Sequence, residues 1–148
     1  MVEFIYWGKP ATAGSKRGIP YARKAEHGGG LGVRVIHDNK RFESFSAEIK
    51  DLARNAADGQ FFNHGVWLSL AIVRPRPKGH FRSGRNAGQL KDDAPEYPTS
   101  KPDATKILRA VEDALTGVLW RDDSQIVRHQ ISKDYGDQEC LIVRVAAT

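Results

Sequence analysis

KPDATKILRAVEDALTGVLWRDDSQIVRHQISKDYG, residues 101–136, is the stretch whose succession of patterns decides the fold. From Asp103 onward, Ile107, Leu108, Val111, Ala114 and Leu115 recur at helical spacing and make one apolar stripe. Thr116-Gly117 closes the helix. A turn carrying Asp122 and Asp123 follows, and the chain then reads as a strand over 125–133. At about 100° per residue, Lys106, Arg109 and Asp113 share a polar face opposite Ile107, Val111 and Leu115, with Asp103 at the N-terminal edge between them. The helix buries one stripe and shows a charged one.

Outward from this segment, residues 139–147 read as a final strand, in which the single cysteine, Cys140, fits as a small buried residue. On the other side, 74–102 is broken by repeated Gly and Pro and is expected to be an irregular loop of functional weight. Residues 66–74 alternate as a buried strand. Ser46 is expected to cap a helix running to Ala57, with Ile49, Leu52, Ala53 and Ala56 on one face and Asp58-Gly59 as its stop. LGVRVIHD at 31–38 and VEFIYW at 2–7 read as strands, joined by a glycine-rich basic loop over 8–30. Few βα units alternate, so the pattern predicts one α+β domain: a mixed sheet packed with two main helices.

The chain has 148 residues, 40% hydrophobic and 28% charged, which suits one globular core and excludes disorder. No apolar run approaches the roughly 20 residues that span a bilayer, and the N-terminus lacks the pattern of a targeting segment. A formal charge of +5 favours a polyanionic partner. No membrane partner and no small-molecule cofactor are expected. The histidines, His27, His37, His64, His80 and His129, lack zinc-ligand spacing. Trp7, Trp67 and Trp120 read as core or interface anchors, with Trp120 singled out as the one to stack on bases.

Asp103 suits either a helix cap or a metal ligand, and Asp122 and Asp123 suit either turn formation or ligation. A hard divalent cation takes only one or two carboxylates besides water and phosphate oxygens, so Asp103 and Asp123 could supply a site, with Arg109 stabilising a phosphoryl transition state.

At this point the residues resemble a known family. KPDATKILRAVEDALTGVLWRDDSQIV is similar to the signature of RusA-like Holliday-junction resolvases, in which a KPD-type helix start is followed by D-A-L-x-G and D-D-x-Q. FIYWGKPATAGSKR resembles the family's opening strand and basic loop, and RPRPKGHFRSGRNAG resembles a loop of phage-type members. The resemblance implies a homodimeric α+β endodeoxyribonuclease that binds four-way DNA junctions and makes paired nicks with Mg²⁺, or Mn²⁺ in its place. It further implies a phage or prophage protein acting in the bacterial cytoplasm. Carried over, Asp103 and Asp123 match metal aspartates, and Arg109 stands where the family has a catalytic lysine. Asp122, Asp113 and Thr105 are further metal candidates. Thr105 departs from the family, which often has a second aspartate there. Arginine at 109 keeps the charge but cannot act as an acid or base.

The DNA-binding candidates are Lys16, Arg17, Arg76, Lys78, His80, Arg82, Arg85, Lys106 and Lys133. Two rival readings accompany this one: a junction-binding protein whose metal site has decayed at Thr105, and a nuclease for other branched nucleic acids.

Overall fold

Val66, Leu68, Leu70 and Ile72 alternate along one strand and are all 0–1% exposed, which identifies the centre of the sheet. The computed structural model describes residues 1–13, 16–22, 29–37 and 40–148. Its elements are β1 (Val2–Trp7), β2 (Lys16–Ala22), β3 (Leu31–His37), α1 (Lys40–Ala57), β4 (Val66–Arg74), α2 (Ala104–Leu115), β5 (Ile126–Tyr135) and β6 (Cys140–Ala147). The main sheet has the order β1-β6-β4-β5. β6 is antiparallel to β1 and β4, whereas β4 and β5 run parallel, from Val66↔Ile126 to Arg74↔Tyr135. Parallel neighbours need a long crossover, and here it carries α2.

The chain is therefore an α+β domain with a mixed sheet and two helices, as its patterns predict. α1 packs on β1 and on α2, and α2 reaches β5, so the helices form one layer. Their seam is apolar: Ile49 and Ala53 of α1 and Ile107, Ala110, Val111, Ala114 and Leu115 of α2 are fully buried. Burying each large aliphatic side chain here stabilises the fold by about 1.5–3 kcal/mol. At the crossing from β5 to β6, Gly136 donates its N–H to the Arg74 carbonyl. A Cβ on Gly136 would stand 2.6 Å from Val73 Cγ1, so any larger residue there would have to displace the Val73 side chain. Cys140 is buried, and burial raises its thiol pKa. Among the described residues no helix is long and apolar enough to cross a membrane.

Two local expectations are corrected. Part of the basic loop is a strand: β2 pairs antiparallel with β3, from Lys16↔His37 to Ala22↔Leu31, in a hairpin separate from the main sheet. Gly18 and Pro20 argue against a central strand, but a two-stranded hairpin has only edges, where proline is tolerated. Ser46 caps nothing. α1 begins at Lys40, and Ser46 is buried within it, because Phe42 and Phe45 extend the apolar stripe by a turn and more. Phe45 meets Tyr6 of β1 edge to face, ring centroids 5.0 Å apart. The stripe also runs through Ala57, while Ala56 is exposed.

Candidate active site

α2 decides where the acidic residues stand. Asp103 occupies its N-cap position without a side-chain cap bond, so the capping role open to it in the sequence is not taken up. Its carboxylate lies 3.5 Å from the Lys106 ammonium one turn on. Lys9, Thr12, Lys101, Pro102, Asp103 and Lys106 line a surface cavity of about 280 Å³. One carboxylate among three ammonium groups leaves this cavity net positive, which suits a phosphate oxygen. Lys101 is the lysine of the KPD-type helix start and Lys9 belongs to the basic loop after the first strand, though neither is among the nine DNA-binding candidates. The chain brings Lys9 there by crossing from β1 to α2, where Ala13 donates to the Lys106 carbonyl.

Asp123 stands at the opposite end of the helix. Thr116 is the C-cap of α2, and its hydroxyl bonds the Asp123 carboxylate. The Trp120 indole N–H is shared between Thr116 Oγ1 at 3.2 Å and Asp123 Oδ1 at 3.3 Å. From Asp103 to Thr116 the helix rises about 20 Å at 1.5 Å per residue. Within one chain, then, Asp103 and Asp123 are held apart by the length of α2. Among the described residues no three His, Cys, Asp or Glu side chains gather as a metal would need.

Between the two ends, Thr105, Arg109, Glu112 and Thr116 follow the i, i+4, i+7, i+11 spacing that aligns residues along one face. Thr105, Arg109 and Asp113 are exposed. Glu112 Oε1 lies 2.7 Å from His129 Nε2 on β5, tying the stripe to the sheet.

The neighbouring Asp122 serves the turn. Its carboxylate accepts from Ser124 N–H at 2.9 Å in a capping box with Gln125, and these bonds from Ser124 lower its pKa. Gln125 is the hub: its Oε1 accepts from the N–H groups of Arg121 (2.8 Å) and Asp122 (3.2 Å), and its Nε2 donates to the carbonyls of Phe62 (3.0 Å) and His64 (3.1 Å).

The basic candidates divide. Arg76 donates to the Pro95 and Glu96 carbonyls and lies 4.1 Å over the Tyr135 ring. Arg82 donates to the Leu90 carbonyl and pairs with Asp92 at 2.7 Å. His80 meets Tyr135 edge to face at 5.7 Å. These three organise the 75–97 loop, which contains short 3-10 turns rather than longer elements. Lys133 is engaged with backbone carbonyls. Lys78, Arg85 and Lys106 are exposed. Lys16 and Arg17 sit on β2 with side chains outside the described residues, and Arg23 and Lys24 lie outside them altogether. Trp120, singled out for stacking, is fully buried, whereas Trp7 is 60% exposed at the end of an edge strand.

Comparison with known proteins gives two findings. The family model described as Endodeoxyribonuclease RusA matches residues 18–146. An uncharacterized protein of Bacillus subtilis (strain 168), YqaN, is 28% identical over 152 residues, covering 99% of this chain and 98% of that protein.

Proposed function

Because the chain belongs to the RusA endodeoxyribonuclease family, and is thus an endodeoxyribonuclease, we propose that it resolves four-way DNA junctions by paired nicks as a divalent-metal-dependent homodimer. Its place of action is the bacterial cytoplasm. The observation that carries the reading is Asp103 in a lysine-lined cavity at the start of α2. A carboxylate for the metal and cations for the phosphodiester meet there.

Asp103 and Asp123 offer hard oxygen donors of the kind that Mg²⁺ or Mn²⁺ prefers. A divalent ion bound by them would stabilise charge on the scissile phosphate and make a water acidic enough to attack. Since α2 separates the two residues within a chain, the reading requires that they come from different protomers. A twofold axis satisfies this twice over: whatever residue of one protomer meets Asp123 of its partner, the reciprocal contact also forms. Lys106 and Arg109 neutralise the phosphate, and Arg109 can grip two of its oxygens without moving a proton. Lys78 and Arg85 hold the flanking DNA backbone. Asp122 shapes the turn that presents Asp123.

An end-labelled synthetic four-way junction and a matched linear duplex, each incubated with Mg²⁺ or with EDTA, test the proposal. Paired nicks near the branch that require Mg²⁺ are expected. Tight, salt-sensitive junction binding without cleavage under any divalent ion would replace it with the reading of a junction-binding protein, for which Thr105 is the observation.

A further inference from the structure

We infer that Lys133, with Arg74, is a positioning residue for Asp103 and not a DNA ligand, resting on Asp103 as the metal ligand proposed above. Asp103 reaches the start of α2 at the end of the strap Ser100-Lys101-Pro102. Three successive carbonyls of that strap accept bonds from cations rooted in two adjacent parallel strands. Lys133 Nζ donates to Ser100 O at 2.7 Å and to Pro102 O at 3.2 Å. Arg74 Nη1 donates to Lys101 O at 2.7 Å and to Ser100 Oγ at 3.1 Å. Glu139, just before the last strand, places its carboxylate 3.5 Å from Arg74 Nε, a contact between opposite charges without a hydrogen bond.

The helix holds only one side of this residue, the Asp103 carbonyl, which accepts from the Lys106 and Ile107 N–H groups at 3.2 and 3.3 Å. Asp103 makes no side-chain cap bond, and its carboxylate stands 3.5 Å from the exposed Lys106 ammonium. The helix thus fixes the carbonyl of Asp103, and Lys133 and Arg74 fix the strap that leads into it. Lys133 is half-buried, and two of its three donors are directed at carbonyls. Its register, opposite Ile72 on β4, places it beneath the strap. A lysine can do what an apolar residue at this position cannot, because bridging two carbonyls takes a group with at least two N–H donors.

Lys133→Met and Lys133→Arg in the full-length protein test the assignment. Junction affinity is measured in EDTA over a range of salt, Mn²⁺ binding to the DNA-free protein by electron paramagnetic resonance, and single-turnover nicking across a Mg²⁺ titration. For Lys133→Met we expect EDTA affinity within about two-fold of wild type with an unchanged salt slope. Mn²⁺ binding should weaken and the Mg²⁺ needed for half-maximal nicking should rise about ten-fold or more. Lys133→Arg should restore most of both, since the guanidinium fork also reaches two carbonyls. An EDTA affinity about ten-fold lower, with the salt slope reduced by about one, would make Lys133 a phosphate ligand. A lower thermal midpoint with unshifted metal dependence would make it a residue of the fold alone. A wild-type protein that neither nicks nor binds Mn²⁺ would instead overturn the reading of Asp103 as a ligand.

Discussion

Trp120 and Asp123 are joined by a hydrogen bond from a fully buried indole to an exposed carboxylate, Nε1 to Oδ1 at 3.3 Å. The core thus aims a surface acid. Thr116, at the C-cap of α2, holds the same oxygen from a second side, so the orientation of Asp123 is tied to the end of the helix.

Trp120→Phe keeps most of the apolar contact and removes the N–H. It should cost about 1 kcal/mol in urea unfolding and slow nicking several-fold, with junction affinity in EDTA unchanged. A loss of about 3 kcal/mol or more would show that packing, not the bond, is what the indole supplies.

Asp123→Asn removes a carboxylate that repels phosphate. Cleavage of the labelled junction should be abolished, and binding spared or improved. If binding is lost as well, Asp123 serves folding.

Asp103→Asn mixed with Asp123→Asn distinguishes the two arrangements of the site. If each site draws its aspartates from different protomers, the mixed dimer contains one intact pair and one doubly altered pair. Single nicks should return on mixing the two inactive variants. Continued inactivity, with subunit exchange verified, would place both aspartates of a site in one chain.

Thr105→Asp adds a carboxylate two residues after Asp103. Nicking should be unchanged or faster at low Mg²⁺. A strong loss in a folded variant would mean that position 105 does not face the ion.

Gln125→Ala deletes a side chain that joins the 121–122 turn to the Phe62 and His64 carbonyls. With several bonds lost and their partners left without a mate, unfolding free energy should fall by about 2–4 kcal/mol. A change below about 0.5 kcal/mol would mean that water replaces the amide without loss.

The helices, the buried central strand and the turn at 121–125 were legible in the sequence because each is encoded locally: a 3.6-residue stripe, a two-residue alternation, a glycine after the stripe. The start of α1 was hidden because Ser46 mimics a cap, while Phe42 and Phe45, which extend the stripe, precede it. β2 was hidden by Gly18 and Pro20. The acidic residues themselves were visible, but their 20-residue separation in sequence says nothing of distance. It took the placement of Asp103 at the N-cap of α2 and of Asp123 on its C-cap residue Thr116 to set them apart by the helix length of about 20 Å. Roles for Arg74, Arg76 and Lys133 depend on carbonyls from segments far along the chain, such as Pro95 and Lys101. No spacing rule encodes such partners.

α2 is also a ruler. Its span of about 20 Å equals about six stacked base pairs at 3.4 Å each. In a dimer whose two sites each draw on opposite ends of this helix, the distance between the two cuts is written in a count of helical residues. Lengthening α2 by a turn would then shift the spacing of the nicks without touching a single acidic residue.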